Sequence, residues 1–129
     1  MAWFLRVIGE MRGKTGMYLR EPSVSLFKAF LGGYMSARFD LGLPSYDSDT
    51  ERKMLDGFHY WIAMKFDSYG SRDWSSIIDH FYSHEEDTMS LFYSLWDQYL
   101  KEYNQKGYKR IEKDFWEAKK NYSKKTREL

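Results

Sequence analysis

Large apolar side chains in this chain return every third or fourth residue nearly from end to end. Nowhere do they alternate with polar ones long enough to demand a strand. That spacing follows the 3.6-residue turn of an α-helix and not the two-residue repeat of a pleated strand. Eleven Tyr, nine Phe and five Trp among 129 residues supply much of the pattern, too many rings for a disordered chain. Rings dominate core energetics, so most of them must be buried. The length suits one domain. The expectation is an all-α fold, a single compact domain of five to six amphipathic helices over residues 1–129.

Caps and breakers divide the pattern. Trp3, Phe4, Val7, Ile8 and Met11 predict a first helix over 3–12, ended by Gly13 to Gly16. Met17-Tyr18-Leu19 is expected to be a short extended or turned segment. Pro22 suits the first turn of a second helix capped near Glu21 or Ser23, with Leu26, Phe30, Tyr34, Ala37 and Leu41 as one ridge and Phe27 and Leu31 beside it. Gly32-Gly33 inside that helix weakens it, which predicts the close approach of a neighbouring helix there. After Gly42-Leu43-Pro44-Ser45, Ser48-Asp49-Thr50-Glu51 forms a capping box for a third helix bearing Met54, Leu55, Phe58, Trp61, Ile62 and Phe66. Trp74, Ile77, Ile78 and Phe81 predict a short fourth helix. Ser83-His84-Glu85-Glu86 forms a second capping box for a long fifth helix, stopped by Gly107. Tyr108, Ile111, Phe115, Ala118 and Tyr122 mark a basic sixth helix over 108–125.

Several function classes fall away. The chain has no cysteine, so disulfides, zinc-thiolate sites and a cysteine nucleophile are excluded. No apolar run approaches the length of a bilayer span, which implies no membrane partner. The first residues lack the basic region and small-residue cleavage site of a secretory leader. A cytoplasmic location is expected. His80 and His84 lie four apart, as in helical zinc sites, but the cap at Ser83 breaks the helix between them and no third ligand stands at suitable spacing. His59, beside Asp56 and Tyr60, lacks the second polar partner a general base requires. Gly13-Lys14-Thr15 resembles the end of a phosphate loop, yet Ile8 occupies the position of the essential glycine. No catalytic group and no cofactor is expected.

Charge is more informative. Residues 45–100 carry eleven acids against four bases, residues 101–129 carry ten bases against five acids, and the whole chain is +1. One surface is then acidic and another basic. The basic segment interleaves Tyr103, Tyr108, Phe115, Trp116 and Tyr122 with lysines, a pattern that can hold nucleic acid. In a near-neutral chain an amphipathic helix with solvated lysines explains it better, and no direct nucleic-acid contact is expected. The acids make the stronger candidate: Asp49 and Glu51 at the start of the third helix, then Asp73, Asp79, Glu85, Glu86 and Asp87 around the fourth and fifth. The helix dipole accounts for some of these. The rest suit a surface that steers a basic protein into place.

A resemblance points the same way. Gly16-Met17-Tyr18-Leu19, then Leu26, Phe30-Leu31, Gly33-Tyr34 and Ala37, is similar to the small bacterial immunity proteins of contact-dependent growth inhibition and related polymorphic-toxin systems. Gly57-Phe58-x-x-Trp61, Ser71-x-x-Trp74-x-x-Ile77-Ile78, and Glu86 through Leu91-Phe92 to Leu95, Asp97, Tyr99 and Leu100 continue the likeness over roughly residues 1–104. Members usually carry Arg-Pro before the Met-Tyr-Leu, where this chain has Thr15-Gly16, and a glycine where it has Arg20. The resemblance implies a non-catalytic inhibitor that binds a cognate toxin C-terminal domain, often a nuclease, in the cytoplasm. It assigns no partner-binding residue, and the acidic residues named above rest on charge alone. The alternative is a nucleic-acid-binding or regulatory helical domain acting through the basic last helix.

Overall fold

The computed structural model describes residues 2–127, and within them the chain runs through seven helices with no strand. They are α1 (Trp3–Met11), α2 (Thr15–Tyr18), α3 (Val24–Asp40), α4 (Asp49–Lys65), α5 (Trp74–Phe81), α6 (Thr88–Lys106) and α7 (Tyr108–Arg127). The all-α class is as expected, with one helix beyond the five to six. The addition is α2, a single turn where an extended or turned segment is expected, closed by the Leu19 N–H on the Thr15 carbonyl at 2.9 Å. Four residues are too few for periodicity to register.

Helix α4 is the hub and packs against α5, α6 and α7, while α3 lies against α5 and α6. The centre is a cluster of rings drawn from four helices. Phe58 of α4 meets Trp96 of α6 edge-on at 4.9 Å and Trp74 of α5 at 5.5 Å, and Phe27 of α3 lies 5.0 Å from Phe92 of α6. Such edge and tilted pairs contribute roughly 0.5–1.5 kcal/mol each beyond the apolar area they bury. Phe4 adds α1 to the cluster through Trp96 at 5.7 Å. The last helix is joined to α6 by Gly107 alone, at φ 79°, a left-handed conformation that glycine adopts without penalty.

The sequence misplaces three details. In α3 the core face is Val24, Phe27 and Leu31, while Leu26 and Leu41 of the expected ridge are exposed. Apolar residues lie almost all round α3, so its periodicity does not choose a face. Nor does a neighbour approach Gly32 or Gly33: a Cβ added at either meets nothing within 4 Å. The close approach occurs at Gly57 of α4, where an added Cβ would stand 2.5 Å from the Tyr99 hydroxyl. Finally, the cap of α6 is Asp87 and not Ser83, and the Asp87 carboxylate accepts the Ser90 N–H at 2.9 Å. Two contacts fix the later start, from the Met89 N–H to the Pro22 carbonyl at 3.1 Å and from the Val24 N–H to the Thr88 hydroxyl at 2.8 Å.

Candidate partner-binding surface

The Ser48 cap forms as expected, accepting the Glu51 N–H at 3.1 Å. The Glu51 side chain, however, does not turn back to Ser48. One carboxylate oxygen accepts the Asp47 N–H at 2.9 Å, and the other accepts the Phe4 N–H at 2.9 Å, at the open N-terminus of α1. At 2% exposure Glu51 is a structural clamp between α1 and α4, and its placement on a partner surface is corrected. A carboxylate enclosed in this way is out of reach of a partner's side chains.

Most other acids are also engaged within the fold. Asp47 accepts from the Arg38 guanidinium at 2.7 Å and from the Trp3 N–H at 2.8 Å. Asp49 is exposed but meets Arg52 at 2.6 Å and Lys53 at 3.2 Å, and Arg52 reaches Asp56 as well. Asp97 holds Arg12 through two hydrogen bonds of 2.9 and 2.5 Å. Asp73 caps α5, accepting from the Ser76 N–H at 2.9 Å and the Ser75 hydroxyl at 2.8 Å, and pairs with Lys28 at 3.4 Å. Partial burial opposes ionisation of Asp73, but these donors outweigh it and hold its pKa down at about 2. Three bases of the first 44 residues, Arg12, Lys28 and Arg38, thus neutralise acids of the central segment.

Asp79, Glu85 and Glu86 make no ion pair among the described residues, and the structure brings them together. With Glu21, Pro22, Ser23 and Thr88 they line a groove of about 400 Å³ between the start of α3 and the far end of α5. Asp87 stands beside it as the α6 cap, and the Ser90 hydroxyl and N–H pull its pKa down. Glu21 is the residue that segment charge misses, because it lies in the net-positive first part of the chain. Carboxylates so placed form a compact negative site for a cationic surface. No family model matches this chain, and neither the curated proteins nor the solved structures yield a match.

Three other regions complete the surface. Trp3, Phe4, Leu55 and Trp74 floor a cavity of about 510 Å³ bordered by Gly32 and Gly70, with His59, Tyr46 and charged side chains at its edge. The pocket that sequence reasoning could not supply for His59 is therefore present. Burial is the larger influence on His59 and lowers its pKa against the opposing pull of Asp73 and Asp56, which leaves the imidazole neutral near pH 7. On the opposite flank of α4, α7 buries Ile111 and Phe115 and exposes most of its lysines, with the half-buried Lys119 lying 5.2 Å over the ring of the half-exposed Trp116. His80 lies in the last turn of α5 and His84 in the turn after it, so they share no helical face. Among the described residues no three His, Asp or Glu side chains gather as metal ligands, and no helix is long and apolar enough to cross a membrane.

Proposed function

We propose that this chain is a non-catalytic inhibitor of the immunity type, which binds a basic toxin domain through the groove formed by Glu21, Asp79, Glu85 and Glu86. The observation that carries the reading is the division of the acids: most elsewhere are engaged by internal partners, Asp40 and Glu117 excepted, while these four carry no ion pair among the described residues and line one groove. The sequence resemblance to immunity proteins supports the same reading. A nuclease toxin has a cationic site for phosphates, and a carboxylate groove competes for it by charge complementarity. The direct test is co-expression with the toxin domain encoded next to this gene. Protection of the cells and co-purification are expected, and failure of both refutes the proposal.

A finer test reverses Asp79, Glu85 and Glu86 to Lys together. Asp87 is left in place because its loss would also uncap α6. Steering charges act mainly on encounter, so association at low salt should slow by about 10- to 100-fold while dissociation changes little. An unchanged association rate places the interface elsewhere.

One observation favours a second reading. The exposed Trp116 with Lys119 over its ring, on a helix rich in lysine, has the elements of a single-strand stacking platform. Salt-dependent RNA or DNA binding that is lost on neutralising Lys119, Lys120, Lys124 and Lys125 would establish it over the first.

A further inference from the structure

The cavity beside α3 has an occupant class written into its lining. Its floor is apolar and aromatic, from the buried side chains of Trp3, Phe4, Leu55 and Trp74. Its volume of about 510 Å³ lies within the range of small-ligand pockets, about 300–1,000 Å³. Formal charge at the edge is balanced, with Lys28 and Arg72 against Asp56 and Asp73, so no net field draws in an ion. Two polar groups there, the His59 imidazole and the Tyr46 hydroxyl, make no hydrogen bond among the described residues. Each is partly buried, and each offers one neutral hydrogen-bonding partner. A flat apolar body with a single uncharged polar tip matches this set.

The position suggests how such a body arrives. Ser23 and Asp79 line the acidic groove, and Lys28 and Asp73 line the cavity, so both openings border the α3–α5 pair. The five residues from Ser23 to Lys28 amount to about 8 Å along the helix. That separation is short enough for one docked protein to reach both. We infer that the cavity is an anchor pocket for a tyrosine or tryptophan side chain of the basic partner, its ring against Trp74 and Phe4 and its O–H or N–H directed to His59 or Tyr46. Tyr and Trp are the residues that most often carry interface energy from within such pockets. The inference rests on the binding role proposed above for the identity of the partner, while the pocket itself can be tested alone.

The first measurement uses the isolated protein and p-cresol or indole as probes, followed by amide and indole N–H resonances. Saturable shifts of the Trp3 and Trp74 indole signals and of the Gly32 and Gly70 amides are expected at millimolar concentrations, with Trp116 unmoved. Toluene, which lacks the polar tip, should bind about three- to tenfold more weakly than p-cresol, and Tyr46→Phe with His59→Phe should erase that difference. Absence of saturable shifts, shifts centred on Trp116, or tighter binding of benzoate than of p-cresol would overturn the inference. The second measurement is Gly32→Trp, a site with open space around its Cβ that stands at the edge of the cavity. This variant should abolish probe binding and weaken the partner complex at least tenfold, mainly through faster dissociation. A partner complex that depends on Glu85 and Glu86 but ignores Gly32→Trp sinks the anchor pocket and leaves the acidic-groove reading standing.

Discussion

Replacing Gly32 and Gly33 by alanine tests the placement of α3 most directly. Both glycines lie in the middle of the helix, both are exposed, and a Cβ on either meets nothing within 4 Å. The change then reduces to intrinsic helix propensity, about 0.8–1.0 kcal/mol in favour of alanine at each position. The pair should add to about 1.6–2 kcal/mol. For a chain of this size 1 kcal/mol corresponds to roughly 3–6 °C, so the double variant should melt about 5–12 °C higher. Gly57→Ala is the control, because there a Cβ falls 2.5 Å from the hydroxyl that Tyr99 donates to the Met54 carbonyl. Overpacking of about 1–3 kcal/mol meets or exceeds the propensity gain at that site. Thermal melts and urea titrations of the two single variants, the double and the control, with an unchanged urea slope, provide the comparison. Destabilisation at Gly32 or Gly33 together with tolerance at Gly57 would refute the reasoning, since it would mean that a neighbouring helix packs on the glycine face of α3.

Three further outcomes follow from the clamp, the caps and the core. Glu51→Ala leaves the Phe4 and Asp47 N–H groups without their acceptor and should cost about 2–4 kcal/mol in chemical denaturation, whereas a loss below about 1 kcal/mol would show that water replaces the carboxylate. Asp73 is held at about 2, below the ordinary 3.8, so its stabilising contribution is fully present above pH 3.8 and is lost as pH falls through 2; the stability gap between the native chain and Asp73→Asn should close over that window, and a gap that persists below pH 2 would refute the assignment. Phe58→Ala removes the ring at the centre of the four-helix cluster and should destabilise by about 3–5 kcal/mol, read from the shift in urea midpoint.

Legibility in the sequence followed the range over which each feature is determined. Trp3, Phe4, Val7, Ile8 and Met11 are all buried, as are Met89, Phe92, Leu95, Trp96 and Tyr99, because in these helices one apolar stripe faces one core. In α3 two adjacent stripes compete, and only contact with α5 and α6 selects Val24, Phe27 and Leu31. Ser83 and Asp87 are both competent caps, and the choice between them is made by Pro22 and Val24, more than 60 residues earlier. Segment charge located the acidic part of the chain but could not see Arg12, Lys28 and Arg38 crossing to neutralise it. Nor could it see that Arg52 and Lys53 close on Asp49 or that backbone N–H groups enclose Glu51, and it omitted Glu21. The cavity was illegible because its lining is assembled from α1, α3, α4 and α5, and no local pattern records that meeting.

The Glu51 clamp has a dynamic consequence. The start of helix α1 is tied to distant residues by the Glu51 carboxylate on the Phe4 N–H, the Trp3 contacts with Ser45 and Asp47, and the stacking of Trp3 on Tyr34 at 4.6 Å. Trp3, Phe4, Val7, Ile8 and Met11 are buried in the core as well, so α1 can leave only by breaking those ties and exposing all five side chains together. Trp3 and Phe4 are also the α1 contribution to the cavity floor. Release of α1 would therefore remove half of that floor. Occupancy of the cavity and hydrogen-exchange protection of the α1 amides should rise and fall together.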